Sequence, residues 1–443
     1  MRVIPSTVRF DNCRVHAGWA RCVLAASAML LCSAASTARQ PAVSTHAFVG
    51  ARVIDGTDRA PIDSAVIVVT DGRIVEVGAA SHVIIPPGAQ RISLAGKTVV
   101  PGLINAHGHV GNTVGLEQGH YSAANVTRDL KTYAAYGVTT VVSLGDDEAP
   151  GFAARDRQNT PRLDRTRLFV AGPVLEPKSV DDARKLVAAD AAMKVDIVKI
   201  RVDDNLGTTP KMPPAIYRAV IDEAHRRGLR VAVHVFYLDD AKGVLAAGAD
   251  FIAHSVRDKD VDAELTRLLK ERDVCYCPTL MREVSTFVYE STPSWFSDPL
   301  FLRHADAKTV AQLEEPSRQA QMRNDPGAQR YKVALQQASR NVKLLSDAGV
   351  RLAMGTDTGP PARFQGYFEL MELELMARAG LTPKQVLTAA TRDAARCQRL
   401  DGVGTLEPKK WADFVVLDGD PLTDISNVRK IDSVWIAGNK IDR

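Results

Sequence analysis

Two histidines, His107 and His109, stand two residues apart at the end of the apolar run Val99-Val100-Pro101-Gly102-Leu103-Ile104-Asn105-Ala106. Residues two apart on a strand point to the same face, so both imidazoles converge on one place. Imidazole pairs of this kind bind metals, and a metal set beside a substrate carbonyl activates water for hydrolysis. Four more residues at the ends of apolar segments could complete such a site: Lys199, His234, His254 and Asp357. Each alone has an ordinary structural explanation. Lys199 could be a core lysine bridged to Asp203, His234 and His254 satisfied core histidines, and Asp357 a helix N-cap. Ordered segment by segment along one chain, the six read together as a metal site. Parallel α/β barrels build their active sites at such strand ends.

The elements that must position these residues alternate between strand and helix. Apolar segments Val138–Leu144, Arg167–Leu175, Asp196–Val202, Arg230–Phe236, Asp250–Ser255, Val274–Leu280 and Arg351–Thr356 join the His107 segment to make eight expected strands. Helical patterns such as Ala215–Arg227 and Asp260–Arg272 lie between them. That alternation predicts an α/β fold with a parallel sheet, and eight units predict a (β/α)8 TIM barrel over residues 99–404. In Asp196–Asp203 the apolar Val198, Ile200 and Val202 alternate with Lys199, Arg201 and Asp203, which turns Lys199 toward the barrel axis. The two ends of the chain are different in character. Residues 46–98 and 405–443 hold short strands with turn residues, including a hairpin around Asp71-Gly72 and another closed by Gly438-Asn439. Isolated hairpins are unstable, so both ends are expected to meet in one small β-sandwich. Residues 281–330, with Phe287, Tyr289, Trp295 and Phe296, form a long insertion expected to serve as a lid or substrate wall.

The first 38 residues read as a secretory signal peptide. Arg2, Arg9, Arg14 and Arg21 precede the apolar stretch Cys22–Cys32 and a small-residue exit, Ser33-Ala34-Ala35-Ser36. The stretch is too short for a membrane span, so a periplasmic or secreted protein without a stable membrane anchor is expected. Removing the leader takes away four arginines and one aspartate, and the net charge of +4 falls to about +1. No basic patch remains to suggest nucleic acid. Hydrophobic residues at 45% and charged residues at 24% exclude a disordered or fibrous chain. Cys275, Cys277 and Cys397 remain after the leader, an odd number that does not describe a disulfide framework. They are read as buried structural thiols.

With this ordered motif set on the page, the chain resembles the amidohydrolase superfamily over about residues 46–443, in the binuclear, imidazolonepropionase-like branch that includes Xaa-Pro dipeptidases and related carboxypeptidases. The resemblance implies that His107, His109 and Asp357 bind the more buried metal and that His234 and His254 bind a second. It implies that Lys199 is carbamylated by CO2 and bridges the two, that both are zinc, and that a metal-bridging hydroxide is the nucleophile. Asp357 would also carry the proton from nucleophile to leaving nitrogen. Lys199 favours hydrolysis of an amide over deamination, because deaminases of the superfamily usually use one metal and lack that lysine. The expected substrate is a small amide, such as a dipeptide or N-acyl amino acid. A lactone or cyclic amide on the same site, or a non-catalytic metal-bound binding protein, are the alternatives. Substrate contacts are less determined. Arg201 could bind a carboxylate as a bidentate fork or pair with Asp203 or Asp204, and Tyr237 could hydrogen-bond the substrate or simply pack. The substrate residues of imidazolonepropionase proper have no matching set here.

Overall fold

The computed structural model describes residues 44–443. The expected leader, residues 1–38, lies outside the described residues. Strands from both ends of the chain share one eight-stranded sheet. Thr45–Val53 pairs antiparallel with Ile62–Thr70, which turns through Asp71-Gly72 into Arg73–Ala79. Both turn residues have positive φ, the geometry that matches the twist of a two-residue hairpin. From the other end, Phe414–Leu417 pairs antiparallel with Thr98–Pro101, and Ile431–Ile436 continues the sheet. The last hairpin turns on Ala437 and Gly438, both at positive φ, one residue earlier than the Gly-Asn turn expected from sequence. Phe48, Phe414 and Trp435 form the centre of this unit's core, with Phe48 edge-on to the other two at 4.9 and 4.7 Å.

Between these ends the chain alternates strand and helix, and every ladder is parallel. Leu103–Gly108, Val138–Ser143 and Arg167–Val170 form a three-stranded sheet. Val174–Leu175, Val198–Arg201, Val231–His234, Phe251–Ala253 and Cys275–Cys277 form a five-stranded one. Arg167–Val170 and Val174–Leu175 are two pieces of the single strand expected from sequence, interrupted at Gly172-Pro173, where proline has no N–H to give. The expected strand 351–356 makes no continuous ladder. It is held by a parallel bridge from Leu352 to Tyr276, another from Thr358 to Gly108, and bonds such as Ala106 N–H to Met354 C=O at 2.9 Å. The expected strand Val274–Leu280 is cut short after Cys277 and passes into a helix, Leu280–Ser285.

The helices cover the strands with apolar faces. Pro214–Arg226 buries Tyr217, Val220, Ile221 and Ala224, the i, i+3, i+4, i+7 pattern of one stripe. Ala263–Glu271 begins at Asp262, whose side chain accepts from Leu265 N–H and caps it. The insertion is helical, with short segments leading to the 22-residue helix Pro326–Asp347. Trp295, Phe296 and Phe301 pack there against Phe364, Tyr367 and Phe368, with ring centroids 4.9–6.4 Å apart. No helix among the described residues is long and apolar enough to cross a membrane.

One expectation for the cysteines is corrected. Cys275 and Cys397 form a disulfide across 122 residues, and among the described residues only Cys277 remains a buried thiol. Cys275 and Cys277 are consecutive same-face residues of one strand, and the partner of Cys275 comes instead from the helix Arg392–Gln398.

Candidate metal centre

His107 and His109 leave the end of Leu103–Gly108 beside the turn that carries Asp357. Asp357 Oδ1 lies 2.9 Å from His109 Nε2 and 3.4 Å from His107 Nε2. Lys199 does point inward from Val198–Arg201, and its Nζ is 3.2 Å from His107 Nε2. His254 stacks between two other imidazoles, with its centroid 4.6 Å from His107 and 4.1 Å from His234. One donor atom from each of His107, His254 and Asp357 lies within 4.8 Å of the other two. The five strand or loop ends thus bring all six expected ligands to one place.

The backbone is shaped for this convergence. Asp357, His254 and Thr279 have φ of 58°, 71° and 50°, in the left-handed region that non-glycine residues seldom occupy and that clusters at functional sites. Close approach requires glycine at two neighbours. A Cβ on Gly355 would lie 2.5 Å from Cys277 Sγ, and one on Gly359 only 2.4 Å from the carbonyl oxygen of His109. Behind the turn, Glu369 Oε1 accepts from Asn105 at 2.7 Å, Thr356 at 2.5 Å and Thr358 at 2.6 Å. Asn105 in turn accepts the His107 N–H at 3.0 Å, so a buried carboxylate braces both sides of the centre. Burial pushes the Glu369 carboxyl up to about 7 against those bonds.

The hydrogen bonds fit a metal. His109 Nδ1 faces the carbonyl of Gly145 at 3.0 Å, which can only accept, so Nδ1 carries the proton. Its Nε2 faces Asp357 Oδ1 at 2.9 Å, a contact filled either by a proton on an imidazolium or by a metal ion held by both groups. His234 is fixed in the same manner by Asp203, 2.9 Å from Nε2, and His254 Nδ1 contacts the Thr279 hydroxyl at 2.8 Å. Outer partners of this type orient metal-binding imidazoles. The buried Nδ1 of His107 has no partner at all.

Burial holds His107 and His254 well below the usual histidine range and brings His234 down to about 4, so all three are neutral donors. Burial pulls His109 down as well, but the hydrogen bond to Asp357, the charge of Asp357 and the Gly145 carbonyl together raise it. Burial lowers Lys199 to about 8. Asp357 is held well below the carboxylate range although burial opposes this, because Arg363 and the two histidines favour its charge.

The two expected substrate residues look elsewhere. Arg201 donates from Nε to Asp203 at 2.7 Å, the pairing alternative to a free fork. Tyr237 donates to Asp204 at 2.8 Å and lies under the Lys211 ammonium. Sequence reasoning did not assign Asp203 as the partner of His234, nor the roles of Thr279, Glu369, Arg282 and Arg363. Asp203 lies on the same strand face as Lys199, which is a signal that could have found it. Arg282 and Arg363 lie in a short helix and a loop with no periodic signal. Arg363 pairs with Asp357 Oδ2 and Arg282 Nε is 4.0 Å from the same oxygen. Arg363 also lines a cavity of about 720 Å3, to which Phe301 and His304 of the insertion contribute.

The fold agrees with known proteins. The Amidohydrolase family profile matches residues 98–441. An uncharacterised protein of Mycobacterium tuberculosis is 27% identical over 341 residues, 74% of this chain and 80% of its own. The imidazolonepropionase of Mycolicibacterium smegmatis is 26% identical over 368 residues, 80% of this chain and 84% of its own. Among solved structures, a protein classed provisionally as a prolidase, from Bifidobacterium longum, superposes with a TM-score of 0.72 at 25% identity, covering 91% of this chain and 96% of its own. A Xaa-Pro dipeptidase with methionine in its active site has the same fold, with a TM-score of 0.72 at 22% identity over 90% of this chain and all of its own. The chain belongs to the amidohydrolase family. It is a hydrolase of carbon–nitrogen bonds.

Proposed function

We propose that the chain is a binuclear, zinc-dependent hydrolase of small amides, acting on dipeptides or N-acyl amino acids. The observation that carries this reading is the convergence of His107, His109, Lys199, His234, His254 and Asp357, with Asp357 Oδ1 facing the Nε2 atoms of the first pair. His107, His109 and Asp357 would hold one ion and His234 and His254 the other. Lys199 would bridge them as a carbamate: its neutral amine adds to CO2 and loses a proton, which turns a costly buried cation into an oxygen ligand. A bound metal pair supplies an activated water at neutral pH and polarises the scissile carbonyl. The chain's own part is to orient these groups and to move a proton. Asp357 takes the proton of the attacking water and delivers it to the leaving nitrogen. Histidines fixed by Gly145, Asp203 and Thr279 keep their lone pairs inward during that exchange.

The same reading extends to architecture and location. The two parallel sheets would close into a (β/α)8 barrel over residues 99–404, through the segments 167–175 and 351–358, with a β-sandwich from 46–98 and 405–443 beside it. Export is supported by the leader sequence and by the Cys275–Cys397 disulfide, since such bonds persist in oxidising compartments. Protein from its native host should begin near residues 35–40 on N-terminal sequencing; a full-length chain kept in the cytoplasm would contradict export. The activity is tested by screening the zinc-loaded protein against X-Pro dipeptides, N-acyl amino acids and lactones. Turnover of the first two classes is the expected result, and turnover of lactones alone would overturn the amide assignment.

A further inference from the structure

Four guanidinium groups surround the centre, from Arg201, Arg257, Arg282 and Arg363, and they face three carboxylates. Arg201 is matched by Asp203 at 2.7 Å, and Arg257 by Glu283 at 3.1 Å. Arg363 pairs with Asp357 Oδ2, and Arg282, which shares Glu283 with Arg257, has its Nε 4.0 Å from that same oxygen. The Arg282 side chain is nine-tenths buried, and its Nε has no hydrogen-bond partner. Its other nitrogens are spent on Glu283 at 3.2 Å and the Tyr331 hydroxyl at 3.2 Å, and its plane lies 4.5 Å from the Tyr331 ring. These contacts fix the guanidinium and leave the unpaired N–H turned toward Asp357. A buried, unsatisfied donor on a cation is costly in a resting protein, and an anionic ligand relieves the cost.

Arg363 has a different position with the same implication. It forms part of the wall of the 720 Å3 cavity, so a ligand there can reach it without entering the protein core. With Asp357 committed as a metal ligand, Arg363 would lose its counter-ion and Arg282 would keep only Glu283, which it shares with Arg257.

We propose that Arg282 and Arg363 form the subsite for the free carboxylate of the substrate and so restrict the enzyme to amides of acids: dipeptides and N-acyl amino acids rather than their neutral analogues. The inference rests on the amide-hydrolase reading above, and it moves the carboxylate fork from Arg201, which is occupied by Asp203, to the two arginines that face Asp357. Two guanidiniums suit a carboxylate because each presents planar N–H donors.

The test uses two ligands without a hydrolysable amide, N-(methanesulfonyl)-L-leucine and N-(methanesulfonyl)-L-leucinol, titrated calorimetrically into the zinc-loaded protein. The acid should bind at least about thirtyfold more tightly than the alcohol, as charge-assisted bonds to a carboxylate require. In Arg282→Met and in Arg363→Met that ratio should fall at least about tenfold, with alcohol binding unchanged. Arg282→Lys keeps the charge but not the fork and should fall between; it decides the matter if Arg282→Met does not fold. A ratio near one in the wild-type protein overturns the proposal. So does an unchanged ratio in an Arg282→Met protein that melts and binds zinc like wild type. If the acid preference depends on Arg282 but no amide is hydrolysed, the subsite stands and the amide-hydrolase reading fails. Hydrolysis of N-acyl amino acids without any acid preference would sink the subsite alone.

Discussion

The proposed mechanism gives Asp357 two roles, metal ligand and proton carrier. Its Oδ1 faces the two histidines while Oδ2 faces Arg363. Replacing it by asparagine keeps the shape and an oxygen that can coordinate, but removes the group that accepts a proton. Asp357→Asn should therefore retain most of its metal and lose turnover by about 10²–10⁴-fold. His109→Ala should lower metal content and turnover together, because its lone pair is held for a ligand role by the Gly145 carbonyl. Metal analysis and steady-state rates on one substrate distinguish the two. Near-normal turnover in Asp357→Asn would assign the proton transfer to another inward group.

At the scale of elements, the strands that carry ligands were legible because their residues alternate or run apolar up to a polar end. Lys199 was placed inward by alternation alone, and the structure puts it beside His107. The eighth segment was legible as apolar but not as irregular: Met354 and Thr356 must bend around the left-handed Asp357, and that geometry has no periodic trace. The Cys275–Cys397 bond was missed since 122 residues separate its ends and strand spacing says nothing of so distant a partner. A further feature hidden in sequence is Asp190, on the helix Val180–Met193. It is buried, neither carboxylate oxygen has a partner, and burial pushes it up to about 7. A carboxyl whose folded pKa is raised costs nothing below its unfolded value near 4, and the cost grows to about pH 7 and is constant above. Asp190→Asn should thus stabilise the protein by about 1–3 kcal/mol at pH 8 and by little at pH 4.5. Equal melting shifts at both pH values would show that Asp190 is not the source.

At the scale of the molecule, the chain brings its two ends into one sheet and packs that sheet beside the ligand-bearing strands. The disulfide ties Cys275–Cys277, the strand that ends at Thr279 beside His254, to the helix Arg392–Gln398, which follows Asp357 in the chain. Closing so long a loop restricts the unfolded chain, and its loss should cost about 2–5 kcal/mol. Denaturant melts with and without reductant, and of Cys397→Ser, measure this; a reductant-insensitive midpoint would contradict it. The central claim is that six side chains hold two metals, and metal counting tests it most directly. Protein purified with zinc and bicarbonate should contain close to two equivalents per chain, and Lys199→Ala at most one, with turnover lost. One equivalent in the wild type, unchanged in Lys199→Ala, would contradict the binuclear centre.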